Sequence, residues 1–166
     1  MSSVTLAVLA AGLAAATVID LRSRRIPNAL TGAMAGLGLA LAVTGVSGVT
    51  LPGSIAGLVI GLAVMMPGYA LGATGAGDVK LMGAVGAIVG PPLVLSAFIC
   101  TSLAGGVLAI IVAVRRKRLG ATLMQTGRFV AAPGAAQQEI KAATAASRFA
   151  YGPAIAVGSL IAVLMA

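Results

Sequence analysis

Six apolar runs follow one another with almost no charge inside them: Val4 to Ile19, Ala29 to Val46, Gly53 to Leu71, Val79 to Gly90, Leu93 to Val114 and Tyr151 to Ala166. A chain that is 60% hydrophobic and 8% charged, with a mean hydropathy of +1.11, lies far outside soluble globular usage, where about a quarter of residues are charged. In hydrocarbon the backbone N–H and C=O groups must be satisfied internally, so runs of this kind form helices. The expectation is an all-α polytopic membrane protein. It has one membrane-embedded domain over residues 1–166, with six transmembrane helices at about 4–20, 29–46, 53–71, 79–90, 93–114 and 151–166 and one polar loop at 115–150.

Charge sets the expected orientation. The first run has the Ala and Leu content of a signal peptide, but no Lys or Arg precedes it and an Arg cluster follows it directly. Those flanks indicate a retained span with its N-terminus outside. If spans then alternate, all eleven Lys and Arg residues fall on the cytoplasmic side: Arg22, Arg24, Arg25, Lys80, Arg115 to Arg118, Arg128, Lys141 and Arg148. The outer loops, at Val46 to Pro52 and Pro91-Pro92, carry no charge, and both termini are extracytoplasmic. This is the positive-inside pattern of an inner (cytoplasmic) membrane protein. The formal net charge of +8 would suggest nucleic acid in a soluble protein. Here the basic residues border spans, so anionic lipid headgroups are the expected partner and nucleic acid is not.

The same bias divides Val79 to Val114 in two at Pro91-Pro92, since a single span would carry Arg115 to Arg118 outside. The first half is short. About 12 residues at roughly 1.5 Å each cover some 18 Å, against a hydrocarbon thickness of about 30 Å. Small residues recur every four positions at Gly32 and Gly36, at Gly53, Gly57 and Gly61, and at Gly86 and Gly90. Such faces allow helix backbones to approach closely in lipid. The stretch Leu119 to Phe149 reads equally as short helices on the cytoplasmic leaflet, held by Arg128, Lys141 and Arg148, or as a solvated loop. Pro133-Gly134 excludes one continuous helix there, and Glu139 is a solvated partner for its basic neighbours.

Only three acidic residues occur, and two of them, Asp20 and Asp78, stand at the edges of apolar runs. A carboxylate beside a membrane span usually faces a polar cavity or a partner and is a functional candidate. The bland alternative is charge neutralisation by nearby Arg and Lys at the headgroups. Gly75 and Gly77 precede Asp78 where a loop must become a helix. Glycine opens backbone angles closed to other residues and admits a close neighbour, so an unwound Gly-x-Gly lead-in suits a site that receives an extended substrate. Pro27 ends any continuation of the first helix, and Asn28 is placed to cap the second through its side chain. The single cysteine, Cys100, and the absence of His exclude a disulfide framework, a Cys/His zinc site and a nucleophile activated by histidine.

Two aspartates brought face to face titrate as a coupled pair, one tending to keep its proton. The ionised member takes a proton from water attacking a peptide carbonyl, while the protonated member polarises that carbonyl and later supplies the leaving amine. Nearby Lys80 and Arg22 would favour the ionised form. No cofactor or metal is needed for such chemistry.

At these residues the chain resembles the prepilin peptidases, membrane aspartyl proteases with a Gly-x-Gly-Asp motif. The resemblance rests on Asp20 with Ile26-Pro27-Asn28 downstream, on Gly75-Ala-Gly-Asp78-Val-Lys80-Leu81, and on Tyr151-Gly152-Pro153-Ala154-Ile155-Ala156. It implies that Asp20 and Asp78 are the catalytic pair. It also implies that the substrate is a type IV pilin-like precursor cut at the cytoplasmic face, after the glycine that ends its short basic leader. The long bacterial form carries a cytoplasmic insertion, often with paired Cys-x-x-Cys motifs, linked to methylation of the new N-terminus. Here only Leu21 to Asn28 separates Asp20 from the second run. The chain is therefore similar to the short, peptidase-only type of Flp or tight-adherence pilus systems, with no methyltransferase activity and no S-adenosylmethionine site expected. A small proton- or cation-coupled transporter or channel using the same aspartates is the rival from another class, and a non-catalytic assembly scaffold is a third. A serine–lysine protease built on Lys80 lacks a serine near it in sequence.

Overall fold

The computed structural model describes residues 1–115 and 151–166. The expected surface helices or solvated loop of residues 116–150, with Arg128, Glu139, Lys141 and Arg148, lie outside the described residues. Six helices are present: α1 (Ser3–Ser23), α2 (Asn28–Val43), α3 (Leu51–Ala70), α4 (Ala76–Val89), α5 (Pro91–Arg115) and α6 (Gly152–Leu164). There is no strand among the described residues. Three helices, α1, α3 and α5, are long and apolar enough to cross a membrane, while α2 and α6 are apolar but shorter.

The turns follow from a few local choices. Ser2 caps α1 by accepting a hydrogen bond from the Thr5 amide, and Thr50 caps α3 through the Gly53 amide. At the other end of α1, Arg24 takes a left-handed conformation (φ 52°) and its amide donates to the Asp20 carbonyl. Pro27, with φ −64°, then opens α2. Asn28 was expected to cap α2 with its side chain. It does not, because Pro27 occupies the capping position and its carbonyl accepts from the Leu30 and Thr31 amides. Asn28 sits one residue inside the helix, its side chain turned to another partner. Between α4 and α5, Gly90 adopts φ 82°, a value open mainly to glycine, and Pro91 starts the next helix. The stretch Val79 to Val114 is therefore two helices, as the charge pattern required.

α4 is the centre of the bundle. Eleven of its fourteen residues are buried, and it touches α1, α2, α3, α5 and α6. Its short length fits that place, since a helix screened by its neighbours need not match the thickness of the lipid. Apolar burial gives little drive for association between helices in hydrocarbon, so close backbone packing has to supply it. A Cβ on Gly57 would run into the Gly86 carbonyl, and one on Gly61 into the Met82 carbonyl. The Ser54 hydroxyl crosses the same seam and donates to the Ala87 carbonyl. On the α2 side Gly38 lies against the Ala87 backbone.

One of the expected packing faces, and one end of another, are corrected. Gly32 and Gly36 have no atom within 4 Å of a Cβ placed on them, so they do not form a helix contact. Gly53 meets only the Val49 and Thr50 side chains, whereas the Gly90 carbonyl carbon would lie 3.0 Å from a Cβ on Gly57. Four-residue spacing marks a smooth helix face but does not say whether a neighbour lies on it.

Candidate active site

Asp20 lies inside α1, one turn before its end, rather than at the end of the span. It is 5% exposed, and Asp78, in the first turn of α4, is 8% exposed. The two helices touch, so residues 58 positions apart (78 minus 20) lie on neighbouring elements.

Among the described residues, the hydrogen-bond partner of each carboxylate is a backbone amide. Oδ2 of Asp78 accepts from the Gly75 amide at 2.9 Å. This bond closes the first turn of α4 in the manner of a capping box, the N3 carboxylate reaching back to the N-cap amide. Oδ2 of Asp20 accepts from the Gly152 amide, also at 2.9 Å. Both bonds put a negative group at the N-terminal end of a helix, where the helix dipole favours it.

The two glycines of the Gly-x-Gly segment act by size rather than by conformation. Gly75 has φ −83° and ψ 155°, extended backbone open to any residue, and Gly77 is already inside α4. The expected unwound lead-in is therefore corrected: helix begins directly after Gly75. What the missing side chains permit is contact. A Cβ on Gly75 would stand 3.2 Å from Asp78 Oδ2, and one on Gly77 would stand 3.1 Å from Ile26 Cβ. Gly77 thus lets the loop between α1 and α2 settle on the start of α4, with Ile26 buried beneath it.

Lys80 fastens the same loop. Its Nζ donates to Asn28 Oδ1 at 2.8 Å, across an exposed edge of the site. Lys80 was expected to bias the charge of the aspartates, but its hydrogen-bond partner is Asn28. Pro27, Asn28, Gly75, Gly77, Asp78 and Lys80 are therefore brought into one cluster, while Asp20 on the adjoining α1 is held by α6.

Two residues complete the site that the sequence did not single out as shaping it. Gly152 supplies the amide that Asp20 accepts, and Tyr151, beside it, lies over Gly105 of α5. A Gly-Pro pair opening an apolar run was the only available signal for Gly152. Nothing in that pair names a partner 132 residues away. Among the described residues no group of three or more His, Cys, Asp or Glu gathers as a metal site.

Asp20 and Asp78 are thus two buried acids, each with one oxygen committed to a backbone amide. The sequence model of the type IV leader peptidase family matches residues 7–110, a stretch that contains Asp20, the α1–α2 loop, Asp78 and Lys80. Comparison with curated proteins and with solved structures gives no match.

Proposed function

The chain belongs to the type IV leader peptidase family, and on that premise we propose that it is an aspartyl endopeptidase with Asp20 and Asp78 as the catalytic pair. The observation that carries the reading is the burial of both carboxylates against helix N-terminal amides, on two helices that touch.

In the proposed reaction the ionised aspartate takes a proton from water, whose oxygen bonds to the scissile carbonyl carbon. The protonated partner donates to the carbonyl oxygen, which would otherwise carry the developing negative charge. Collapse of the tetrahedral intermediate breaks the C–N bond as the second aspartate takes its proton back from the hydroxyl of the intermediate and supplies it to the departing amine. The first keeps the proton taken from water, so the pair again shares one proton. With Oδ2 of each side chain held by an amide, Oδ1 is the atom assigned to these transfers.

The substrate of this reading is a type IV pilin-like precursor of the Flp type, cut after the glycine that ends its basic leader. Cleavage takes place at the cytoplasmic face of the inner membrane, which six spans with both termini outside would present. The basic rim of Arg22, Arg24, Arg25 and Lys80 suits anionic headgroups there. No methyl transfer is part of the proposal, since the segment between Asp20 and α2 is too short to hold a further domain.

The test is purified protein in liposomes with a Flp-type precursor. Release of the leader, with no proton or cation flux under an imposed gradient, supports the peptidase. Flux that depends on the aspartates, without cleavage, would establish the transporter instead. Methylation of the processed product by this protein alone would refute the peptidase-only form.

A further inference from the structure

The two aspartates are held in unlike ways. The donor to Asp78 is Gly75, three residues away at the start of the same helix, so that bond forms whenever the first turn of α4 forms. The donor to Asp20 is Gly152, at the far end of the chain. The position of Asp20 therefore depends on where α6 is docked.

Counting the amides at the start of α6 shows why Gly152 is available. The first amides of any helix lack partners within it. Pro153 has none to offer, and those of Ala154 and Ile155 both donate to the Tyr151 carbonyl, at 3.0 and 3.1 Å. The Gly152 amide remains, and the Asp20 carboxylate takes it. The side-chain position at Gly152 is also filled from outside. A Cβ there would lie 2.9 Å from Asp20 Oδ2, 3.1 Å from its Cβ and 3.3 Å from its Cγ. Only a residue without a Cβ lets the carboxylate reach the amide.

α6 is itself keyed to α5. A Cβ on Gly158 would run into the Thr101 backbone, and the Tyr151 ring covers Gly105 so closely that a Cβ on Gly105 would be 2.7 Å from its hydroxyl oxygen.

Resting on the peptidase reading above, we infer that Gly152 is the positioning residue for Asp20: its amide fixes one carboxylate oxygen, and its lack of a side chain makes the approach possible. Gly152 touches no reacting atom, so its role is exerted through Asp20. A displacement of the order of 1 Å in a catalytic group can cost about 100-fold in rate.

The test joins kinetics to a melting cycle. Gly152→Ala is expected to lower kcat for precursor cleavage about 100-fold with KM nearly unchanged, because the binding surface for the precursor is left in place. Thermal unfolding in detergent is then measured for Gly152→Ala in the wild-type and Asp20→Gly backgrounds. The inference predicts a lowered Tm in the first and little or no loss in the second, since Asp20→Gly removes the atoms that the new Cβ would meet. Should Gly152→Ala fail to fold alone, the double variant is expected to fold. Normal kcat in Gly152→Ala, an equal loss of stability in both backgrounds, or a double variant that also fails to fold would each overturn the inference. Failure of the peptidase reading is recognised separately, by normal cleavage in Asp20→Asn, and the melting cycle does not depend on it.

Discussion

Replacing Gly86 by Ala tests the seam on which the central helix rests. The added Cβ would strike the Gly57 carbonyl oxygen, with the Gly57 carbonyl carbon at 2.6 Å and the Leu58 nitrogen at 3.2 Å. All three are backbone atoms and cannot turn aside, and carbon atoms in ordinary contact stand about 3.5–4.0 Å apart. α3 and α4 must therefore part by roughly 1 Å at this level, which also strains the Ser54 to Ala87 hydrogen bond. Overpacking of this kind costs about 1–3 kcal/mol, and loss of the hydrogen bond adds about 0.6 kcal/mol, for a total of about 2–4 kcal/mol. The matched control is Gly36→Ala, where a Cβ meets nothing within 4 Å and helix propensity gives a gain of up to about 1 kcal/mol. At about 2–4 °C per kcal/mol for a chain of this size, Gly86→Ala should melt roughly 4–16 °C below the wild type, and Gly36→Ala at or slightly above it. Circular dichroism melts in detergent read both. Leader cleavage should fall in Gly86→Ala as well, because α4 carries Asp78. Equal melting of the two variants, or a larger loss at Gly36, would refute the reasoning.

Three further outcomes are expected. Lys80→Met and Asn28→Ala should each slow cleavage while costing no more than about 1 kcal/mol of stability, because the bond is exposed; a double variant no slower than the worse single variant shows that the two residues act together. Ser54→Ala should lower stability by about 0.6 kcal/mol, the average for a hydrogen bond between membrane helices, as read by unfolding in mixed micelles. Asp78→Ala should melt below Asp78→Asn by about 1 kcal/mol, because the amide oxygen of Asn still accepts from the Gly75 amide and Ala cannot; both variants should be inactive.

Much of the fold is legible in the order of apolar runs. A run of 16 to 22 uncharged residues has few alternatives to helix in lipid, and the uncharged Pro91-Pro92 segment marks the break between α4 and α5 because the positive-inside bias favours Arg115 on the side of Lys80. The aspartates are legible for a similar reason: in a chain with three acids, two beside spans stand out. What the sequence does not carry is the identity of neighbours. Gly32 and Gly36 have the spacing of Gly57 and Gly61, yet only the second pair faces another helix. Local propensity names Asn28 as a cap, but Pro27 before it takes that place and Lys80 from α4 takes the side chain. The role of Gly152 depends on a contact across nearly the whole chain, and no local pattern reports the distance it closes. The roles of Gly75 and Gly77 are partly readable: glycine was required, but for the approach of Asp78 and Ile26 rather than for unusual backbone angles.

The most direct test of the paired-acid account is cleavage of a pilin-like precursor by purified Asp20→Asn and Asp78→Asn proteins, beside wild type in the same lipid. Both variants keep a side chain of nearly the same shape with an oxygen acceptor for its amide donor, and both should retain helicity and melt within a few degrees of wild type. The account predicts that neither releases the leader at a measurable rate. Processing at the wild-type rate by either folded variant would contradict it.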